Sequence, residues 1–176
     1  MRPQVTTRAR SPKRRQFIAN AAAAAVLASA AAPGPAFAQQ PVAKGYDIMD
    51  PLTAFNAARK GEIILVDIRT PQEWAETGIG EGAIALDMRA PDFVRSLVTL
   101  RKTYEDKPIA MICRTGNRSG YVVQTLAAQG FPGLVDVSEG MAGGPNGKGW
   151  LARALPVYPG TPDEIAPRLD AVMNPS

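Results

Sequence analysis

The 176-residue chain contains no histidine and a single cysteine. The first absence removes the chemistries that need an imidazole: Ser-His and Cys-His nucleophile pairs and histidine-ligated metal sites. The second removes an internal disulfide, because a lone thiol has no partner in its own chain. Acidic residues are missing from the first 46 positions, although 16 follow. That opening stretch is basic instead, with Arg2, Arg8, Arg10, Lys13, Arg14 and Arg15 all before residue 16. From Gln39 onward 14 basic residues meet 16 acidic ones, so the formal net charge of +4 belongs to the opening segment and does not indicate a nucleic-acid partner. A long hydrophobic run is also lacking. The stretch from Phe17 to Ala32 is 16 residues, interrupted by Asn20 and Ser29, whereas a spanning helix needs ~20 strongly apolar residues.

What the opening segment does contain is the order of an export signal: a cationic start, an Ala-dominated apolar stretch, then "AFA", a small-x-small cleavage site between Ala38 and Gln39. Arg14 and Arg15 followed by "QFI" resemble the twin-arginine signal, with an ordinary Sec signal as the alternative. Residues 1–38 are therefore expected to be a removable leader, and 39–176 a mature chain without a membrane span, working in a bacterial periplasm. The length and 45% hydrophobic content fit one globular domain.

Strand and helix signals alternate along that chain. "DPLTAFNAARKG" offers Asp50 as N-cap, Pro51 at the first helical position, Leu52, Phe55 and Ala58 on one face, and Gly61 as a stop. "EIILVD" is a nearly continuous apolar run, as in a strand covered on both faces. "TPQEWAETG" carries a capping box from Thr70 to Glu73 and ends at Gly78. A brief strand at "AIAL" precedes "APDFVRSLVTLRKTY", with Phe93, Leu97, Leu100 and Tyr104 at helical spacing. "PIAMIC" predicts a second buried strand, "SGYVVQTLAAQG" a helix capped by Ser119, and "LVDV" a further strand. The alternation predicts an α/β fold with a central parallel sheet and helices on both faces.

In such a sheet ligands bind where the carboxyl ends of strands meet loops. Cys113 ends the "PIAMIC" strand there, and "RTGNR" links it to the next helix. Gly116 and Asn117 tolerate the left-handed backbone that lets successive N–H groups converge on an anion. Arg114 and Arg118 add two charges. A buried, inert thiol is the ordinary state of a free cysteine, but these neighbours are those of a stabilised thiolate.

The segment "CRTGNRS", preceded by "VDIRTPQEWAETGIGEGAIALD" and followed by "GFPGLVDVSEGM" and "GWLARALPV", resembles the rhodanese superfamily in its single-domain form. Asp67, Arg69, Glu73 and Trp74 meet its D-x-R-x-x-x-E-W pattern, and Gly82 and Ala83 its G-A. The likeness runs from about Lys44 to Pro159, leaving a short C-terminal tail. It implies a sulfurtransferase in which Cys113 is the nucleophile and carries a persulfide. The N–H groups of Arg114, Thr115, Gly116, Asn117, Arg118 and Ser119 would form the cradle, and Arg114 and Arg118 would bind the anion. Asp67 and Arg69 would support the site, with a structural ion pair at a strand end as an equal alternative. Glu73 and Trp74 read as a helix cap and a core aromatic.

The chain departs from the family's frequent G-H-I-x-G-A, having Gly78, Ile79, Gly80, Glu81, Gly82 and Ala83 in its place. Its "MAGGPNGKG" run is long for the family and reads as a disordered surface loop, with a mobile flap near the active loop as the alternative. The implied partners are a small anionic donor such as thiosulfate and a thiol or cyanide-like acceptor, with a protein acceptor as a further option and with no metal or cofactor. Two rival readings stand beside this one. A delivery or redox module that binds a partner is compatible with every residue named. A cysteine-dependent phosphatase would need its arginine at C-x5-R, one residue further than Arg118.

Overall fold

The computed structural model describes residues 45–175. The expected leader, with Arg14, Arg15 and the Ala38–Gln39 junction, lies outside the described residues. Five strands form one parallel sheet in the order β1 (Tyr46–Met49), β6 (Leu134–Val137), β5 (Ile109–Ile112), β2 (Ile64–Asp67), β4 (Ala83–Ala85). The expected α/β architecture is therefore present, with β5 at the centre. The sequence pattern did not single out β1, nor the two-residue strands β3 (Ile79–Gly80) and β7 (Val157–Tyr158), which pair antiparallel. The two-residue strands carry too few residues for a pattern to show, and β1, exposed at its two middle residues, lacks the apolar run of the buried strands.

Successive side chains of a strand point to opposite faces, and here each face has its own core. On one face Leu65, Ala110, Ile112, Val135 and Val137 pack with Phe55 of α1 (Pro51–Arg59), Trp74 of α2 (Pro71–Thr77) and Trp150 of α5 (Gly149–Ala152). On the other, Ile64, Val66, Met111, Cys113 and Leu134 pack under α3 (Phe93–Thr103) and α4 (Asn117–Ala128). The tail is helical: α6 (Pro162–Met173) lays Leu169, Val172 and Met173 on this second face, and Tyr104 Oη donates to Val172 O. The pleat thus assigns Cys113 to the α4 side before any loop geometry enters.

Local sequence explains most element ends. Asp50 accepts from Leu52 N and Thr53 N at the start of α1, and Thr70 and Glu73 complete a capping box on α2. Two expectations need correction. Leu52 is exposed, and α1 buries Pro51, Ala54 and Phe55 instead. Ser119 does not cap α4. The helix starts three residues earlier than that cap would place it, at Asn117, because Gly116 takes the cap position at φ 87°, a left-handed backbone that frees Ser119 to enter the first turn.

Candidate active site

Cys113 follows β5 directly and is fully buried. Its chain turns at once into the loop 114–116 and then α4, so the thiol lies beneath the start of that helix. Gly116 has no room for a Cβ, which would overlap the carbonyl oxygen of Ser138. Among the described residues, none of the backbone N–H groups of Arg114, Thr115, Gly116, Asn117, Arg118 and Ser119 donates to a protein acceptor. Six successive free donors at a helix start form an anion-receiving nest. Ser119, in the first turn, is itself buried, and its hydroxyl lies 3.5 Å from Cys113 Sγ and 3.1 Å from Gly116 O. That hydroxyl has one proton and can serve only one of the two at a time.

The two loop arginines differ. Arg118 donates from both terminal nitrogens to Glu73, at 2.9 and 2.5 Å. This contact, opposed by partial burial, holds the Glu73 carboxyl down at about 2. Glu73 also accepts from Thr70 N, so one carboxylate caps α2 and anchors the active loop. Arg114 is exposed, and its side chain has no hydrogen bond or ion pair among the described residues. It borders a cavity of about 70 Å³ shared with Arg69, Glu73, Glu76, Thr77, Ala142 and Leu151. A wider groove of about 530 Å³, lined by Arg101, Lys102 and Pro132, lies by Pro108 and Gly133 at the amino ends of β5 and β6, away from this loop.

Asp67 and Arg69 form a buried pair at the end of β2. Arg69 donates to Asp67 from Nε and Nη2, and to Glu73 O, Thr77 Oγ1 and Gly78 O with its remaining N–H groups. Burial pushes the Asp67 carboxyl up, and the Arg69 contacts act against it. With every guanidinium donor taken, Arg69 ties β2 to both ends of α2. This is the structural ion-pair alternative for these two residues.

The glycine-rich segment is a built wall. Met141 N donates to Cys113 O and Ala142 N to Arg114 O, both at 2.8 Å, so the segment is stitched to the active loop. Glu139, buried, accepts from Gly149 N and pairs with Arg153 at 2.6 Å, closing the base of the loop. Asn146 Nδ2 donates to Ser138 O, the carbonyl that crowds Gly116. Glu139, and Asp136 of β6, are site neighbours that sequence reasoning missed. Their only signal was an acidic residue within and just after the apolar run "LVDV".

Strand end, unpaired amides and buried thiol define a parallel α/β domain with an anion-receiving loop around its cysteine. The Rhodanese-like domain family model matches residues 53–144, just over half of the chain, and the chain belongs to that family. An uncharacterized protein of Rickettsia prowazekii (strain Madrid E) is 32% identical over 103 residues, 52% of this chain and 80% of its own length. YtwF of Bacillus subtilis (strain 168), provisionally named a sulfurtransferase, is 39% identical over 80 residues, covering 46% and 71%. Among solved structures, Rv0390 from M. tuberculosis is similar over 64% of this chain and 96% of its own, at 23% identity and a TM-score of 0.49.

Proposed function

We propose that this chain is a sulfurtransferase that carries sulfane sulfur as a persulfide on Cys113. The observation that carries the reading is the buried thiol beneath six unpaired loop amides, with Ser119 Oγ 3.5 Å from the sulfur. The provisional name of the B. subtilis relative agrees with it. With thiosulfate as donor, the Cys113 thiolate attacks the outer sulfur. A bond to Sγ forms, the bond to the sulfonate sulfur breaks, and sulfite leaves with that electron pair. The amides of residues 114–119 take the charge of the terminal sulfur, a fixed-dipole role that needs no reorganisation. A nucleophile such as cyanide then removes the outer sulfur as thiocyanate, and the bonding pair returns to Sγ as the thiolate. No proton is consumed in either step, which suits a site without an imidazole. Arg114 guides the anionic donor, and Arg118, held by Glu73, stiffens the loop.

The test is the intact mass of the protein after thiosulfate, with a gain of one sulfur that cyanide removes. Cys113→Ser, nearly isosteric, abolishes the gain and the transfer while the circular dichroism spectrum is unchanged. Hydrolysis of an aryl phosphate without any sulfur adduct overturns the reading in favour of a phosphatase. We place the reaction in the periplasm on the strength of the leader. Exported protein begins at Gln39, and replacing Arg14 and Arg15 with Lys blocks export if the twin-arginine route is used. A product that begins at Met1 overturns the assignment.

A further inference from the structure

Asp136 is the one buried carboxyl near the site that the chemistry above leaves without a task. It lies in β6, registered with Met111 of β5, on the pleat face that also carries Leu134 and packs under α4. Only 6% of its surface is exposed, and its Oδ1 has no hydrogen-bond partner among the described residues. A side chain on Gly120 would press on Oδ2, so the carboxyl sits against the first turn of α4 at the residue that follows Ser119 in the chain. Burial pushes the Asp136 carboxyl up and so disfavours its ionised form, a contact with Ser119 acts against this, and no charged neighbour contributes. The groups around it fit that account. On α4 the nearest charge, Arg118, is committed to Glu73. On β1 Ile48 stands opposite, while Asp47 is registered with Val135 and points to the other face. On β5 the titratable group of the same face is Cys113.

We propose that Asp136 is a positioning residue for the sulfur chemistry: its carboxyl group directs the single proton of the Ser119 hydroxyl onto Cys113 Sγ. A neutral Asp136 donates to Ser119 Oγ. The hydroxyl then gives its own proton to the thiolate rather than to Gly116 O. An ionised Asp136 reverses the chain, drawing the hydroxyl to itself and placing a second negative charge beside the sulfur. Hydrogen bonds in such a chain polarise one another, so the carboxyl strengthens a contact it does not itself make. A buried oxygen with no partner costs stability. Its presence here is then a stability cost borne for the chemistry, as at other functional sites.

The inference rests on Cys113 being the sulfur carrier, and it is tested by a measurement that needs no sulfur donor. Because the chain has one cysteine, the 240 nm absorbance difference between the protein and its Cys113→Ser variant titrates that thiol alone. Asp136→Val is expected to raise the thiolate midpoint, as is Ser119→Ala, and the double variant to move it no further than either. Asp136→Asn, which keeps a donor toward Ser119, restores most of the loss. Asp136→Val is also expected to melt higher, having lost an unpaired buried oxygen. Persulfide formation near neutral pH falls about two- to tenfold in Asp136→Val, the range for one hydrogen bond. A midpoint that falls in Asp136→Val shows an ionised, repelling carboxylate and overturns the proposal. An unchanged midpoint with a lowered Tm makes Asp136 structural and overturns it equally. A midpoint that shifts as expected while no sulfur adduct forms on the wild type refutes the sulfurtransferase reading alone.

Discussion

The ends of β2 and β5 carry the polar residues of this domain, and they are built in opposite ways. At the end of β2, Asp67 and Arg69 are buried and every N–H of the guanidinium has an acceptor. At the end of β5, six consecutive amides have none among the described residues, and the buried thiol has a serine hydroxyl as its polar neighbour. A saturated cluster has nothing left to offer a ligand and works as a staple. An unsaturated one stores donors for a charge that arrives later. The same contrast separates the two loop arginines, Arg118 bound to Glu73 and Arg114 with a side chain that has no partner among the described residues.

Breaking the staple has the largest expected effect. Arg69→Met leaves the Asp67 carboxylate uncompensated in the interior and costs roughly 3–5 kcal/mol, read from urea unfolding. The double change of Arg69→Met with Asp67→Leu recovers most of it, since a fully apolar replacement removes the unpaired charge. Arg69→Met alone at full stability would mean the pair carries no structural load.

Gly116→Ala comes next and attacks the unsaturated loop without touching its chemistry. The left-handed backbone and the crowding by Ser138 O together strain the variant by about 1–3 kcal/mol. Sulfur transfer should fall further than stability does, because the amides no longer share one concave surface. A variant with wild-type transfer would sever the loop's shape from its function.

The arginines sharpen the contrast with smaller effects. Arg114→Ala raises the apparent Michaelis constant for an anionic donor by about one to two decades and leaves the Tm unchanged, as expected for one charge-assisted contact worth ~1.5–3 kcal/mol. Arg118→Ala does the reverse, lowering stability by roughly 1 kcal/mol and turnover more than donor affinity. Identical kinetic signatures for the two variants would erase the distinction. The pH dependence is the finest test. Glu73 is depressed from 4.5 to about 2 by Arg118, so its contribution to stability is complete above pH 4.5 and is lost as the pH falls toward about 2. In Arg118→Ala that part of the acid-unfolding profile should disappear.

Much of this molecule follows from local sequence. The runs "EIILVD", "PIAMIC" and "LVDV" are strands because β-branched apolar residues buried on both faces need no alternation. Asp50, Thr70 and Glu73 cap helices through hydrogen bonds only two or three residues away. The loop around Cys113 was legible for the same reason, since glycine, asparagine and a strand end are neighbours along the chain. What the chain order could not supply is distance between residues far apart in it. Glu73 and Arg118 are separated by 45 residues, and only the β2–β5 pairing brings α2 beside the active loop. The glycine-rich run read as a disordered surface loop, with a flap as the alternative, because its fixing bonds come from Cys113 and Arg114, far from it in the chain. Asp136 looked like an interruption in a strand. Its position under α4, with one oxygen unpaired, is set by the pleat of β6 and the packing of a helix that starts at Gly116, and tertiary structure alone decides both.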